Sequence, residues 1–342
     1  MPLLSLYEFL IEKASKKIIP LSCIFEITYR CNLNCIHCYI VKRKEREVTK
    51  SQAVKIIGQL EKAGCLFLTF SGGEIFLRKD FFEIANYAKN KKFAIRLFSN
   101  GTLIDSDIAD KIKQISPVGV EISLYGFKDT HEKITQKKDS FKRTVEAIKL
   151  LKERKINVSV KSVVMRQNVE EFFQLNRFVQ GLGAQMRGSI FISPTDDGGI
   201  KPLSYRLSDT QLKRHILEEI KIAEVKVNSR RVRPPDDFLC KAGNALVNIN
   251  PYLEVNPCLQ IRLKNNNSLR NKSFIEIWKH HEDFLKIRKM RLCDRIGCKE
   301  CIFISYCSVC PGLALLEEGS LTKPLKESCR IAKIRKSIYE NL

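Results

Sequence analysis

Residues 23 to 38 read Cys-Ile-Phe-Glu-Ile-Thr-Tyr-Arg-Cys-Asn-Leu-Asn-Cys-Ile-His-Cys, an apolar, β-branched run that breaks into a loop carrying three thiols. CIFEIT (23–28) predicts a strand, and a stretch of helical period from about Ser51 to Lys62 follows it. The pattern then repeats. CLFLTFS (65–71) is followed by Asp80 to Asn90, FAIRLFS (93–99) by Ser106 to Ile115, and VGVEISL (118–124) by Phe141 to Arg154. INVSVKSVV (156–164) and MRGSIFIS (186–193) continue the series, with Val169 to Gln180 between them. Six strand-and-helix alternations predict an α/β fold in which a parallel sheet, with helices outside, curls into a partial (βα)6 TIM-like barrel. Chemistry in such folds sits beyond the strands' C-terminal ends, where Cys31, Cys35 and Cys38 fall.

The alternation fails after Pro194, where TDDGGIKP reads as a loop, and a helix from about Ser208 to Val225 leads into the Pro-rich RVRPPDD. The domains expected are an N-terminal helical extension (1–22), a barrel (23–200), a linker with a bridging helix (201–235) and a small loop-rich domain (236–342). In the last of these, residues 245–258 look like a hairpin and 274–290 like a helix, while 293–310 hold five cysteines with little regular pattern. So few apolar residues cannot hold a segment by burial alone, and bound metal is the natural staple.

Composition narrows the class. With 342 residues and 44% hydrophobic content the chain can bury a barrel-sized core, which excludes small disulfide-stapled and disordered proteins. Its net charge of +22 is shared by both halves and invites an anionic partner without naming one. The N-terminus, broken by Glu8 and Glu12, is no signal peptide, and no apolar run reaches about 18 residues, so a cytoplasmic protein without membrane contact is expected. Thirteen cysteines in a reducing setting point to metal or cluster ligation rather than disulfides.

Structural zinc takes four protein ligands in a closed shell, whereas a cubane held by three thiolates leaves one iron free for a small molecule. The CxxxCxxC spacing of Cys31, Cys35 and Cys38 after the first strand resembles the radical S-adenosylmethionine (radical SAM) superfamily. The resemblance implies that these three hold a 4Fe-4S cluster whose free iron is completed by the amino and carboxylate groups of S-adenosylmethionine. Reductive cleavage of that cofactor would then give a 5′-deoxyadenosyl radical that abstracts a substrate hydrogen. His37 occupies the position of an aromatic residue that packs near the adenine. Ser71-Gly72-Gly73-Glu74 ends the second strand; alone it reads as a strand-ending turn, and by resemblance it is the GGE motif that binds the methionine amino group, with Ile75 in place of the usual proline. Ser99, Asn100 and Ser123 end the third and fourth strands and resemble positions along the cofactor's polar edge; helix capping is their ordinary alternative. Arg143 and Lys161 are in range of a methionine carboxylate, but solvated basic residues are the commoner outcome and neither is assigned to the site.

The remaining cysteines centre on Cys298-x2-Cys301-x5-Cys307-x2-Cys310, which in isolation suits a zinc ribbon and, on a basic chain, a nucleic-acid module. After the barrel motif it resembles instead a SPASM domain with two auxiliary 4Fe-4S clusters. By that resemblance Cys240, Cys258 and Cys310 match ligands of the first auxiliary cluster, and Cys298, Cys301, Cys307 and Cys329 those of the second. The chain departs from the pattern at Leu253, where a glycine is usual, and at Ser308-Val309, where three spacer residues are usual. Cys293 is extra: it is the fourth ligand of the first auxiliary cluster, or that cluster keeps an open iron or a non-cysteine ligand. Cys23 and Cys65 lie in apolar strand patterns and read as buried structural thiols.

The resemblance implies an enzyme that oxidatively modifies a peptide or protein, with a thioether or carbon-carbon crosslink as typical products and auxiliary clusters as electron acceptors or substrate ligands. Its partners would be that substrate, a low-potential donor such as flavodoxin or ferredoxin, and a separate leader-binding protein, since no room for a peptide-recognition domain precedes Cys23. Nucleic acid is not expected. The alternative within the same chemistry is side-chain oxidation or decarboxylation of a small molecule such as a tetrapyrrole; the alternative outside it is the zinc module. Asp236, Asp237, Tyr306 and His131 are available as acid or base, but none is distinguished by the sequence.

Overall fold

The computed structural model describes residues 6–223, 234–263 and 265–341. Residues 1–5 of the expected extension, the end of the helix placed at 208–225 and the start of RVRPPDD lie outside the described residues.

A helix, α1 (Leu6–Lys17), precedes the first strand. The barrel then runs β1 (Ser22–Thr28), α2 (Lys50–Lys62), β2 (Phe67–Gly72), α3 (Phe81–Asn90), β3 (Ala94–Ser99), α4 (Ser106–Ile115) and β4 (Gly119–Ser123). It continues with α5 (Lys128–Thr135), α6 (Ser140–Glu153), β5 (Val158–Val163), α7 (Phe172–Gly181) and β6 (Gln185–Ser189). These six strands are parallel neighbours in sequence order, the expected partial barrel. Alternation decides which side chains meet the helices: Cys23, Phe25 and Ile27 of β1 share a buried core with Ala53, Ile57 and Leu60 of α2, while Glu26 faces the other way. α2 starts where Thr49 and Gln52 close a capping box, and α4 where the Asp105 carboxylate caps Ile108 N–H.

The C-terminal part comprises α8 (Asp209–Ala223), β7 (Leu246–Ile249), β8 (Val255–Asn256), α9 (Phe274–His280), α10 (Glu282–Lys289), α11 (Pro311–Glu318) and α12 (Lys326–Tyr339). Three local expectations are refined here. The hairpin at 245–258 forms, β7 pairing with β8, but β7 also runs parallel to β1 and extends the barrel sheet to eight strands, which satisfies an edge that would otherwise expose unpaired backbone. The helix expected over 274–290 is two, turned at His281, whose Nδ1 accepts from Asp283 N–H to start the second. The strand expected over 186–193 stops at Ser189, because β5 ends at Val163 and offers no further partner. Among the described residues no helix is long and apolar enough to cross a membrane.

A buried polar cluster helps tie the C-terminal part to the barrel. Glu26 is fully buried on the inner face of β1, and Arg262 Nη1 lies 2.9 Å from its carboxylate. Tyr29 and Tyr39 hydroxyls donate to it at 3.1 Å each, and Asn248 Nδ2 of β7 at 3.0 Å. Removing one partner of such a pair strands a buried charge. Arg262→Met is therefore expected to lower the unfolding free energy by about 3 kcal/mol, and the double variant Glu26→Gln/Arg262→Met to recover more than half of that, as read by denaturant unfolding under anaerobic conditions.

Candidate active site

Cys31, Cys35 and Cys38 occupy the loop between β1 and α2, which is pinned from two sides. Asn34 and Ile36 N–H groups donate to Thr135 and Ile134 carbonyls at the end of α5 (3.1 and 3.0 Å), and Glu47 takes bonds from Thr28 Oγ1 and Tyr29 N–H, both at 2.7 Å. Burial, then the thiols of Cys38 and Cys31, push the Cys35 thiol up, so the three stand within electrostatic reach of one another. Three thiols on one loop are a donor set suited to an iron-sulfur cluster, which would take each of them as a thiolate.

Gly72 and Gly73 press this loop from the side. Gly72 has φ +131, and a Cβ there would meet Thr28 O at 2.1 Å; one on Gly73 would meet Arg30 O at 2.2 Å. Gly73 and Glu74 N–H groups donate to those same carbonyls at 2.7 and 2.8 Å. The paired glycines are thus required by the chain's own backbone immediately before Cys31, not only by a ligand. Glu74 is buried, and burial pushes its carboxyl up to about 7, against the pull of Asn100 and Phe76 N–H and the Ser99 hydroxyl.

Ser99 and Asn100 do not cap α4, which Asp105 does. Ser99 Oγ donates to both oxygens of Glu74 (2.9 and 3.0 Å) and Asn100 N–H to one of them at 2.8 Å. The Asn100 side chain reaches on to Asn32 Oδ1 at 3.0 Å and to Cys31 Sγ at 3.8 Å. A continuous hydrogen-bonded path therefore joins Glu74 to the first thiol. Ser123 pulls the Tyr125 hydroxyl down against the burial that pushes it up, and the Tyr125 ring packs edge-on against His37 at 4.6 Å between centroids. His37 Nδ1 is buried without a hydrogen-bond partner among the described residues, an orphan that a bound ligand can satisfy. Tyr125 and Asn32 were missed from the sequence; an aromatic two residues past a strand-end Ser and an Asn between two thiols were the available signals. Lys161 pairs with Glu121 on the inner face (3.2 Å), Arg96 joins it (3.7 Å), and Arg143 lines a separate crevice with Thr102 and Glu146.

The C-terminal thiols gather in two groups. Cys258 is pushed up by burial and then by Cys240, with Cys310 also contributing. Cys307 is pushed up by burial and carries contributions from Cys329, Cys298 and Cys301, with the Arg295 guanidinium opposing them from 3.1 Å off Cys298 Sγ. Residues 237–239 pair antiparallel with 290–292 through the Phe238–Arg291 bridge; Cys293 lies in the short 3-10 turn Leu292–Asp294 that follows, and its N–H donates to Pro235 O. Leu253 has φ +72 while buried, so the position where a glycine is usual keeps the left-handed backbone with a leucine in it. Cys23 and Cys65 are buried in the core. Among the described residues no three His, Cys, Asp or Glu side chains converge on a single ion.

Residues 25–179 match the family described as the Radical SAM superfamily. The antilisterial bacteriocin subtilosin biosynthesis protein AlbA of Bacillus subtilis is 30% identical over 254 residues, 70% of this chain and 55% of that protein, so the chain spans about half of AlbA's length. The AdoMet-dependent heme synthase of Methanosarcina barkeri is 27% identical over 317 residues, 84% of this chain and 89% of that one. The structure of Streptococcus suis SuiB bound to the precursor peptide SuiA superposes with a TM-score of 0.70 at 16% identity, covering 94% of this chain and 80% of SuiB, which is a likeness of fold. The matched residues hold the three-thiol loop and Ser71–Glu74, which the alternative of a zinc-binding nucleic-acid module leaves unexplained.

Glu74 sets a pH dependence. Its folded pKa of about 7 lies above the ordinary 4.5, so the native state holds a proton that the unfolded chain releases, and stability falls as pH rises from about 4.5 through 7. The full loss is of order 3 kcal/mol above pH 7. Unfolding of wild type and Glu74→Gln between pH 5 and 8 checks it: the wild-type decline is expected to flatten in the variant.

Proposed function

We propose, from the premise that the chain belongs to the radical SAM superfamily, that it cleaves S-adenosylmethionine reductively and oxidatively modifies a peptide or protein. The observation that carries this reading is the hydrogen-bonded path from Glu74 through Ser99 and Asn100 to the three-thiol loop, with Gly72 and Gly73 packed against that loop's root. Cys31, Cys35 and Cys38 would hold a 4Fe-4S cluster. Bound there, the cluster and cofactor supply one-electron cleavage of a sulfonium and a carbon radical able to abstract hydrogen. Glu74, held by Ser99 and Asn100, would receive the cofactor's ammonium in a buried setting where that charge pair is strong. His37, against Tyr125, would flank the adenine, and Ser123 would border its polar edge.

Cys240, Cys258 and Cys310 would hold one auxiliary cluster, with Cys293, substrate or a non-cysteine ligand at its fourth position. Cys298, Cys301, Cys307 and Cys329 would hold the second. The domain division at about residue 235 belongs to this reading, the second unit lending β7 to the first unit's sheet. AlbA's part in bacteriocin biosynthesis and SuiB's precursor peptide support a peptide substrate. A carboxylate-bearing tetrapyrrole is the second reading, favoured by Arg96 and Lys161 on the inner face and by the extent of the heme synthase match.

Anaerobically reconstituted protein is expected to carry about twelve irons per chain and to form 5′-deoxyadenosine from S-adenosylmethionine under dithionite. Cys31→Ala/Cys35→Ala/Cys38→Ala should retain about eight irons and form none. A precursor peptide that stimulates turnover and loses two hydrogens supports the first reading; stimulation by a coproporphyrin and not by peptides supports the second. No cleavage with either, at full iron loading, overturns both.

A further inference from the structure

Arg78, Arg288 and Arg295 are buried, and a buried cation is costly unless an anion or a ring answers it. Arg78 pairs with Asp80 at 2.7 Å. Arg288 lies over the rings of Trp278 (4.6 Å) and Phe284 (5.5 Å) and donates to Gly243 O at 2.7 Å. Arg295 has neither a carboxylate nor a ring against it among the described residues. Its guanidinium ends at a thiol instead: Nη2 lies 3.1 Å from Cys298 Sγ, and Nε is buried with no hydrogen-bond partner among the described residues.

The backbone holds the side chain there. Arg295 closes the 3-10 turn Leu292–Asp294, its N–H donating to Leu292 O at 3.2 Å, and the next N–H, of Ile296, donates to Thr322 O at 3.1 Å. From that anchor the guanidinium also pulls the Cys307 and Cys329 thiols down against the burial that pushes them up, so its charge acts on the group formed by Cys298, Cys301, Cys307 and Cys329. The other C-terminal group is surrounded differently. Ala242 N–H reaches Cys240 Sγ at 3.4 Å, Gln260 and Ile261 N–H groups pull Cys258 down against its burial, and Leu313 and Gly312 N–H groups do the same for Cys310. Those donors are neutral dipoles, whereas Arg295 brings a whole charge.

We propose that Arg295 is the counter-charge of the second auxiliary cluster, a buried guanidinium hydrogen-bonded to Cys298 that raises the cluster's reduction potential. The inference rests on the proposed function, which places that cluster on Cys298, Cys301, Cys307 and Cys329. A 4Fe-4S cluster on four thiolates is an anion, and each electron it takes adds negative charge, so a cation held against a ligand sulfur favours the reduced form. Arg295 thus acts through the cluster and fits a four-thiol set to accept electrons.

The test is a potentiometric titration with dithionite, followed by electron paramagnetic resonance, of the iron-loaded Cys31→Ala/Cys35→Ala/Cys38→Ala chain, in which the two auxiliary clusters remain and each takes one electron. Adding Arg295→Gln is expected to lower one of the two midpoints by about 59 mV, a tenfold change for a one-electron couple, and to leave the other in place. Arg295→Lys, which keeps the charge, should recover more than half of that shift. If the glutamine variant sheds about four irons that the lysine variant keeps, the charge is what holds the cluster and the proposal stands. Two unmoved midpoints, two that move together, or a lysine midpoint as low as the glutamine one overturn it. So does loss of the same irons from both variants, which makes Arg295 a packing residue. The titration needs no cleavage of S-adenosylmethionine, so a wild-type chain that forms no deoxyadenosine strikes the functional reading and leaves this result standing.

Discussion

The carboxylate of Glu26 sits where water cannot reach it, on the inner face of the first strand, and a charge in that position is tolerated only if donors come to it. Four do, each from a different stretch of chain: Tyr29 at the strand's end, Tyr39 next to Cys38, Asn248 on β7 and Arg262 four residues past Cys258. The cysteine loop and the segment carrying the C-terminal thiols are therefore registered against one point. Their relative placement is set by compensation of a buried charge rather than by apolar packing alone, which is non-directional.

A second constraint works at the rim. The peptide units of Gly72 and Gly73 lie so close to Thr28 and Arg30 that no side chain fits between them, and this contact fixes where Glu74 emerges. From there the hydrogen bonds run to Ser99, Asn100, Asn32 and Cys31 without a gap. Each member of that path lies at the end of a parallel strand or in the first loop, the only places where consecutive strands bring polar groups together above a packed core. The sheet's geometry and the site's chemistry are one arrangement seen at two scales.

Much of this was legible in the chain. The six alternations stand out because apolar residues repeat at period two and then at the helical period, and the thiol groups because ligand spacing is local. What escaped shares a cause: it depends on partners distant in sequence. Leu246 to Ile249 reads as one arm of a hairpin, and only the unpaired edge of β1, over 200 residues away, makes it a barrel strand. Nothing local to Glu26 announces Arg262, 236 residues further along the chain. The turn at His281 is a capping event inside a continuous apolar period. Tyr125 is one aromatic among many until His37 is set against it.

The C-terminal segment shows how a departure from a pattern is absorbed. Where a glycine is usual the chain has Leu253, yet the backbone stays left-handed, at a strain of order 1 kcal/mol that burial of the leucine side chain in the main core offsets. The turn from β7 to β8, in which Leu253 N–H donates to Asn250 O, takes that conformation with a leucine in place. Under the proposed function the thiol groups differ in a way that matters chemically: a four-thiol set such as Cys298, Cys301, Cys307 and Cys329 leaves no position for a ligand and serves electron passage alone, whereas a three-thiol set such as Cys31, Cys35 and Cys38 can bind the molecule on which it acts.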